Sequence, residues 1–411
     1  MEEHPQARFI IETLAKAGFI AYYAGGWVRD FLLGHPSDDI DIATNAPPET
    51  IQALFPKTVP IGIAFGILLV LIDGREYEVA TFRSDIDYRD GRRPTRVEFT
   101  TAEEDAQRRD FTINGMFYDP LKEEILDFVG GKKDLDAKIL RAIGNPHERI
   151  KEDRLRMIRA IRLSCRFHFS IEAATAAAIR SHSNELFPAV AIERIVQELE
   201  KAHKTGKLRP MLIGLHAYHL LEAIFPSLQG IPLAEIERRV EPIKHFPIDA
   251  PLIAFILELF PDFSLEEVIS LAKSLKLSNL DQQFAAFLVH AKELLRLDRP
   301  ISLSEWAYFY ANRFSTVSLQ IFAAPLEEKP RAAFFARHEG QIALLAQSIE
   351  RIRTRDPLIK SNDLAALGII PSKTMGVLLE AAESISINEQ LHDKQSVLER
   401  LKEHPDWPST C

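Results

Sequence analysis

The sequence predicts an α+β protein: a head built on a mixed β-sheet over residues 1–145, followed by helices only. Three observations carry this. Short apolar runs bounded by glycine and proline recur as far as Gly144-Asn145-Pro146, the pattern of strands and hairpins. From about Glu172 onward only helical spacing remains. At 411 residues, with a 46% hydrophobic fraction, the chain is long enough for two or more domains with separate cores.

Residues 7–16 read as a helix with apolar Phe9, Ile10 and Leu14 and a stop at Gly18. Residues 19–23 are apolar and aromatic, a strand leading into Gly25-Gly26. Two adjacent glycines let backbone amides come close to a bulky anion. Residues 28–33 form a short helix stopped by Gly34 and Pro36. The next strand carries Asp39 and Asp41. Side chains alternate along a strand, so both carboxylates leave the same face. Side by side, they raise each other's pKa unless a cation sits between them. Hard Mg²⁺ suits such oxygen ligands and shares them with substrate phosphates. A lone Gly-Gly is commonly a turn, and a lone Asp-x-Asp a solvated strand end. Together, in this order, they make a candidate nucleotidyl-transfer site.

Pro47-Pro48-Glu49 opens a helix to about residue 55. Residues 67–72 and 76–82 flank Asp73-Gly74, a hairpin that sets Glu78 on a fixed face of its second strand. Residues 84–96 are polar, charged and without period, and read as a loop: a solvated surface segment, or a mobile one over a reactive site. Residues 103–116 read as one helix, acidic residues first and Arg108-Arg109 after, as the helix dipole favours. A strand at 125–129, a helix at 132–138 and a strand at 140–143 complete the head.

Residues 152–167 read as one long helix. Asp153 and Arg156 are three apart and so share a face; Arg159 and Arg162 continue the interval. Arg162 falls among Leu155, Ile158 and Cys165, where a cation needs an anionic partner. Cys165 itself reads as a small core residue. Further on, Ser264-x-x-Glu267 is a capping box, and Trp306, Tyr308, Phe309 and Tyr310 read as helix-packing aromatics. His392-Asp393 has no downstream aspartate to complete a phosphohydrolase metal set and reads as surface helix.

The formal net charge of −9 argues against a uniformly basic surface and leaves room for a local basic groove. Two cysteines, Cys165 and Cys411, build neither a disulfide framework nor a zinc site. The N-terminus lacks signal-peptide character and no apolar run is long enough to span a membrane, so the expected location is cytoplasmic.

Gly25-Gly26-x-x-Arg29-Asp30 followed by Asp39-x-Asp41 resembles the first motif of the class II tRNA nucleotidyltransferase and bacterial poly(A) polymerase family. The run from Arg108 through Asp110 to Asn114 resembles its second motif, and Glu152, Asp153 and Arg156 resemble its Glu-Asp-x-x-Arg motif. Residues 192–199 resemble its neck segment more weakly, and the resemblance thins beyond Glu200. It implies metal binding by Asp39 and Asp41; Glu78 reads as a third carboxylate because its strand pairs within the same sheet, and ligand hardness points to Mg²⁺. The resemblance implies nucleotide contacts from Gly26 and Arg29, with Gly25 in the same cradle; two adjacent guanidinium groups suit a triphosphate, so Arg109 is assigned to the phosphates and Asp110 to orienting an arginine. Arg159 and Arg162 would extend the site toward sugar and phosphates. A family loop with Tyr88, Asp90 and Arg92-Arg93-Pro94 recognisable lies between the first two motifs. The implied domains are a head at 1–145, a base-reading neck at 146–205, a body at 206–295 and an RNA-holding tail at 296–411.

The Asp153/Arg156 pair has its own chemical logic. A carboxylate accepts from the exocyclic amine of cytosine or adenine, and an arginine donates to the adjacent ring nitrogen. Guanine and uracil reverse both contacts and are repelled. The family reading is therefore template-independent addition of CMP and AMP, from CTP and ATP, to a tRNA 3′ end. A poly(A) polymerase or A-adding enzyme shares every catalytic residue; a catalytically inactive RNA- or nucleotide-binding module is the alternative of another class.

Overall fold

The computed structural model describes residues 4–35, 37–62, 65–88 and 94–408. The head runs α1 (Pro5–Lys16), β1 (Ala21–Ala24), α2 (Gly26–Leu32), β2 (Asp41–Thr44), α3 (Pro48–Leu54), β3 (Thr58–Gly62), β4 (Ile67–Ile72) and β5 (Arg75–Thr81). It continues with β6 (Arg83–Tyr88), β7 (Pro94–Phe99), α4 (Ala102–Gln107), β8 (Phe117–Asp119), β9 (Glu124–Leu126), α5 (Gly131–Asp136) and β10 (Ile139–Leu140). Seven strands make one sheet in the order β3-β4-β5-β2-β1-β8-β9. β2 and β5 pair in parallel and the other neighbours are antiparallel, so the sheet is mixed as expected. Tyr22, Ala24, Ala43, Phe82 and Phe117 pack on one side of it with Ala102 and Ala106 of α4.

The helical part begins with α6 (Pro146–Glu152) and α7 (Leu155–Phe167). A two-residue strand, β11 (Ser170–Ile171), pairs with β10. Then come α8 (Ala173–His182), α9 (Ile192–Lys204), α10 (Leu208–Ala217), α11 (Leu220–Ile224) and α12 (Leu233–Arg239). Residues up to 237 form one compact unit, which therefore holds the expected head and neck and part of the expected body. The second unit, from 238, is helical among the described residues. Its capping box at Ser264 and Glu267 forms as read from the sequence. Trp306, Phe309 and Tyr310 enter its core, whereas Tyr308 is 48% exposed because it leaves the opposite side of the helix. Asp393 caps a helix through the Ser396 N–H. Among the described residues no helix is long and apolar enough to cross a membrane.

Four local expectations change. Residues 84–96 are not a loop throughout: β6 and β7 pair as an antiparallel ribbon, from Arg83↔Phe99 to Tyr88↔Pro94. Backbone pairing needs no apolar alternation, so a polar ribbon leaves no hydrophobic signal. Asp90, Arg92 and Arg93 lie outside the described residues. The helix read over 103–116 stops at Gln107, and Thr112–Asn114 is a separate 3-10 turn. Asp110 accepts from the Phe111 N–H and from Asn114, which competes with helical bonding. The helix read over 152–167 breaks at Asp153, whose backbone is extended. Its carboxylate accepts the Leu155 N–H at 3.1 Å, so Asp153 heads α7 rather than sharing a helical face with Arg156. Cys165 is half-buried rather than sealed in the core.

Candidate active site

The site starts where β1 meets α2. Gly25 has φ +69° and ψ −131°, a backbone that side chains disfavour. A Cβ there would stand 3.1 Å from Arg109 Nη1 and 3.7 Å from Asp41 Oδ2. Gly25 therefore lies against both an arginine and a carboxylate assigned from the sequence. Aromatic packing of Trp27 on Tyr23, Phe31 and Tyr118 anchors α2 on the sheet. On the next turn Arg29 is buried, donates to Asp30 at 2.9 Å and to Asn114 Oδ1 at 2.5 Å, and lies over the Phe167 ring.

Asp41 opens β2, with Asp39 just before it on an exposed stretch. Parallel pairing of Ile42 with Val79 sets Glu78 beside Asp41 on the neighbouring strand. Asp41 opens onto the cavity, yet surrounding protein desolvates it. That burial, with Glu78 and then Asp39 nearby, pushes its carboxyl well above the ordinary range, against Arg109. Burial raises Glu78 too, with Arg83 opposing. The donor set is all oxygen, and its electrostatic discomfort is the kind a hard cation relieves. Among the described residues, no group of three or more potential ligands is gathered as a ready cage.

Asp105, on α4, accepts from both Arg108 and Arg109. It was not singled out in the sequence, although its spacing to both arginines was a usable signal. Asp110 takes Arg159 through Nε and Nη2 at 2.9 and 2.7 Å, holding an arginine as expected. Burial would raise the Asp110 carboxyl, but Arg159 and Asn114 hold it at about 2.

Along α7, each arginine on the site's side is tied to a carboxylate from another element. Arg156 donates to Glu152 at 2.8 Å, Arg159 to Asp110, Arg162 to Glu198 at 2.5 Å, and Arg166 to Asp30 at 3.1 Å. Arg162 thus has the anion its apolar surroundings require. Asp153 accepts a two-point contact from Arg194 at 3.1 and 2.8 Å. Arg194 and Glu198 lie four apart on α9, a shared helical face that the sequence displays but does not connect to α7.

These groups line one cavity of about 720 Å³. Gly25, Gly26, Arg29, Asp39, Asp41 and Arg109 stand around it, as do Asp153, Arg156, Arg159 and Arg162; Glu78 is outside the lining. Sequence reasoning missed Arg166, Arg194, Lys201 and Lys204, which also line it. Eight arginines and two lysines face four aspartates, so the cavity is strongly basic within an acidic chain. Such a field suits a polyphosphate.

The family described as poly A polymerase head domain matches residues 21–141, and the one described as probable RNA and SrmB- binding site of polymerase A matches residues 168–231. A CCA-adding enzyme of Streptococcus mutans is 35% identical over 410 residues, 98% of each chain. One from Enterococcus faecalis is 33% identical over 405 residues, 96% of this chain and 95% of that one. The crystal structure of Bacillus stearothermophilus CCA-adding enzyme in complex with CTP has a TM-score of 0.79 at 27% identity, over 96% of both chains. The Thermotoga maritima CCA-adding enzyme complexed with tRNA_CCA shares the fold, with a TM-score of 0.66 at 21% identity over 97% of this chain and 95% of that one. Fold and site have the form of a nucleotidyltransferase head carried on helices. The chain belongs to the CCA-adding enzyme and poly(A) polymerase superfamily.

Proposed function

We propose that this protein adds CMP and then AMP to the 3′ end of tRNA, from CTP and ATP. One observation carries the reading: a single cavity holds a carboxylate pair beside a glycine cradle and also an Asp/Arg pair suited to a base edge. Similarity to CCA-adding enzymes along nearly the whole chain supports it.

Arg109 and Arg29, with the amide at Gly26, bind and orient the triphosphate, while the Gly25 N–H donates to the Met116 carbonyl and the missing Gly25 side chain leaves the room. Asp39 and Asp41 would hold Mg²⁺, which suits their hard oxygen donors, since no closed cage stands elsewhere among the described residues. When bound, Mg²⁺ supplies charge neutralisation to the triphosphate and a lowered pKa to the attacking hydroxyl. The RNA 3′-hydroxyl loses its proton to solvent as its oxygen bonds to the nucleotide α-phosphorus, and the bond to the β-phosphate breaks to release pyrophosphate. Asp153 accepts from the cytosine or adenine amine while Arg194 keeps its plane fixed. Arg156 offers Nε or the second hydrogen of Nη2 to the ring nitrogen, because Glu152 and the Arg149 carbonyl occupy Nη1 and the Arg108 carbonyl takes one hydrogen of Nη2.

The test presents each labelled nucleoside triphosphate with tRNAs lacking CCA, ending in C, or ending in CC. Addition of C, C and A in sequence, ending at CCA, is expected. Chelation of divalent ions should stop it, and Mg²⁺ should restore it. Asp41→Asn should slow it by at least about 100-fold. Long A tails on unrelated RNA would instead mark a poly(A) polymerase, and no incorporation at all would mark a binding protein.

A further inference from the structure

Asp105 is 1% exposed, and its two oxygens serve different partners. Oδ2 accepts from Arg109 Nε and Nη2 at 3.1 and 2.9 Å. Oδ1 accepts from Arg108 Nε and Nη2 at 2.9 and 2.7 Å, and from the backbone N–H of Arg83 at 3.2 Å. Arg108 Nε also donates to the Arg83 carbonyl at 2.9 Å. Arg83 is the first residue of β6, so Asp105 and Arg108 hold the N–H and C=O at the ribbon's root. Arg109 looks the other way. Its Nη1, the nitrogen Asp105 leaves alone, is the atom nearest the empty Cβ position of Gly25. Its guanidinium also lies over the Phe117 ring, 4.9 Å from the centroid. A planar guanidinium held along one edge by a carboxylate and across one face by a ring has little freedom left.

We propose that Asp105 is a positioning residue for the triphosphate site: it aims Arg109 past Gly25 and anchors the root of the β6–β7 ribbon on the same carboxylate. This rests on the triphosphate reading of the cavity given above. The arrangement requires an ionised Asp105. Burial would raise its pKa, but Arg109 and Arg108 hold it below the ordinary range. Because one carboxylate serves both ends, an anion drawing on Arg109 shifts Asp105, and the Arg83 amide registers the shift. A carboxylate that only filled space between helix and sheet would leave that amide indifferent to anions.

Inorganic pyrophosphate is the probe, since its binding needs neither RNA nor turnover. In the full-length wild-type protein, saturating pyrophosphate should slow hydrogen exchange several-fold in the peptide covering the start of β6. Asp105→Asn, checked for folding by circular dichroism, should weaken pyrophosphate binding about tenfold. In the extension assay it should raise KM for CTP and ATP by more than it lowers kcat. Unchanged exchange at β6 in the wild type overturns the proposal, as does unchanged pyrophosphate affinity in a folded variant. If the variant does not fold, the wild-type exchange decides. A protein that meets these expectations yet adds neither C nor A to tRNA would overturn the proposed function and leave the role of Asp105 standing.

Discussion

Glu198 accepts the Arg162 guanidinium at 2.5 Å, with Glu198 2% and Arg162 7% exposed. Glu198 also lies 3.7 Å from Arg159 and 3.2 Å from Lys201. One carboxylate of α9 thus serves two arginines of α7. Removing one partner of a buried pair strands the other charge, at a cost of about 3–5 kcal/mol. Glu198→Ala should lose stability on that scale in denaturant titrations. Adding Arg162→Met should recover much of it. If the double variant is no more stable than Glu198→Ala, the stranded charge is not the cause.

Gly25→Ala tests the cradle. A backbone at φ +69° and ψ −131° lies outside the left-handed helical well and costs a side chain about 1–3 kcal/mol, and the new methyl would meet Arg109 at 3.1 Å. The protein should fold, since the strain is local. Displacing Arg109 by a fraction of an ångström should weaken CTP binding and lower turnover by about 10–100-fold. Calorimetry with CTP and single-turnover extension measure the two effects. Wild-type values for both would remove Gly25 from the site.

Asp153→Ala tests base choice. The carboxylate holds a two-point contact to Arg194, so its loss frees that arginine and removes the acceptor for the exocyclic amine. Discrimination of C and A against U and G should fall by about 1–3 kcal/mol. Pyrophosphate affinity should change little, because Asp153 bonds neither Arg109 nor Gly25. Competition between labelled CTP and UTP reads the ratio directly, and intact selectivity would exclude Asp153 as the reader.

His338 gives the second unit a pH dependence. It is 1% exposed, and its Nδ1 lies 2.7 Å from the Tyr310 hydroxyl, which donates to Gln341 at 2.6 Å. That assignment makes Nδ1–H the donor to Tyr310 and leaves Nε2 without a partner among the described residues. Burial, then the Arg337 charge, lowers His338 from 6.5 to about 4. The unfolded chain therefore takes up the proton first as pH falls. The stability from a neutral His338 is complete above pH 6.5 and is lost progressively as pH drops toward 4. The unfolding midpoint of the second unit should follow that window, and His338→Phe should flatten it. A slope unchanged by the substitution would assign it to other groups.

Legibility differed from element to element for physical reasons. The β4–β5 hairpin is legible because Asp73-Gly74 supplies the backbone the turn requires between two apolar runs. Asp41 is legible as a strand residue, whereas Asp39 stands just before β2, so strand alternation does not set its side. The β6–β7 ribbon is not, since main-chain bonds hold its polar residues together. The break at Asp153 is hidden for a related reason: a side chain bonding to nearby backbone interrupts a helix without changing its pattern of apolar positions. Asp105, Arg194 and Glu198 look like ordinary charges on amphipathic helices until the opposing element is known.

The order of residues thus determined the local chemistry: a glycine pair, two acids one residue apart at the start of a strand, and a run of arginines three apart. Folding in three dimensions decided the partners. Arg162 finds Glu198 across 36 positions and Arg166 finds Asp30 across 136. Apolar periodicity records which side of an element turns inward. A guanidinium taken out of water must be matched where it lands, and that match depends on which surfaces meet, for which a linear spacing holds no trace.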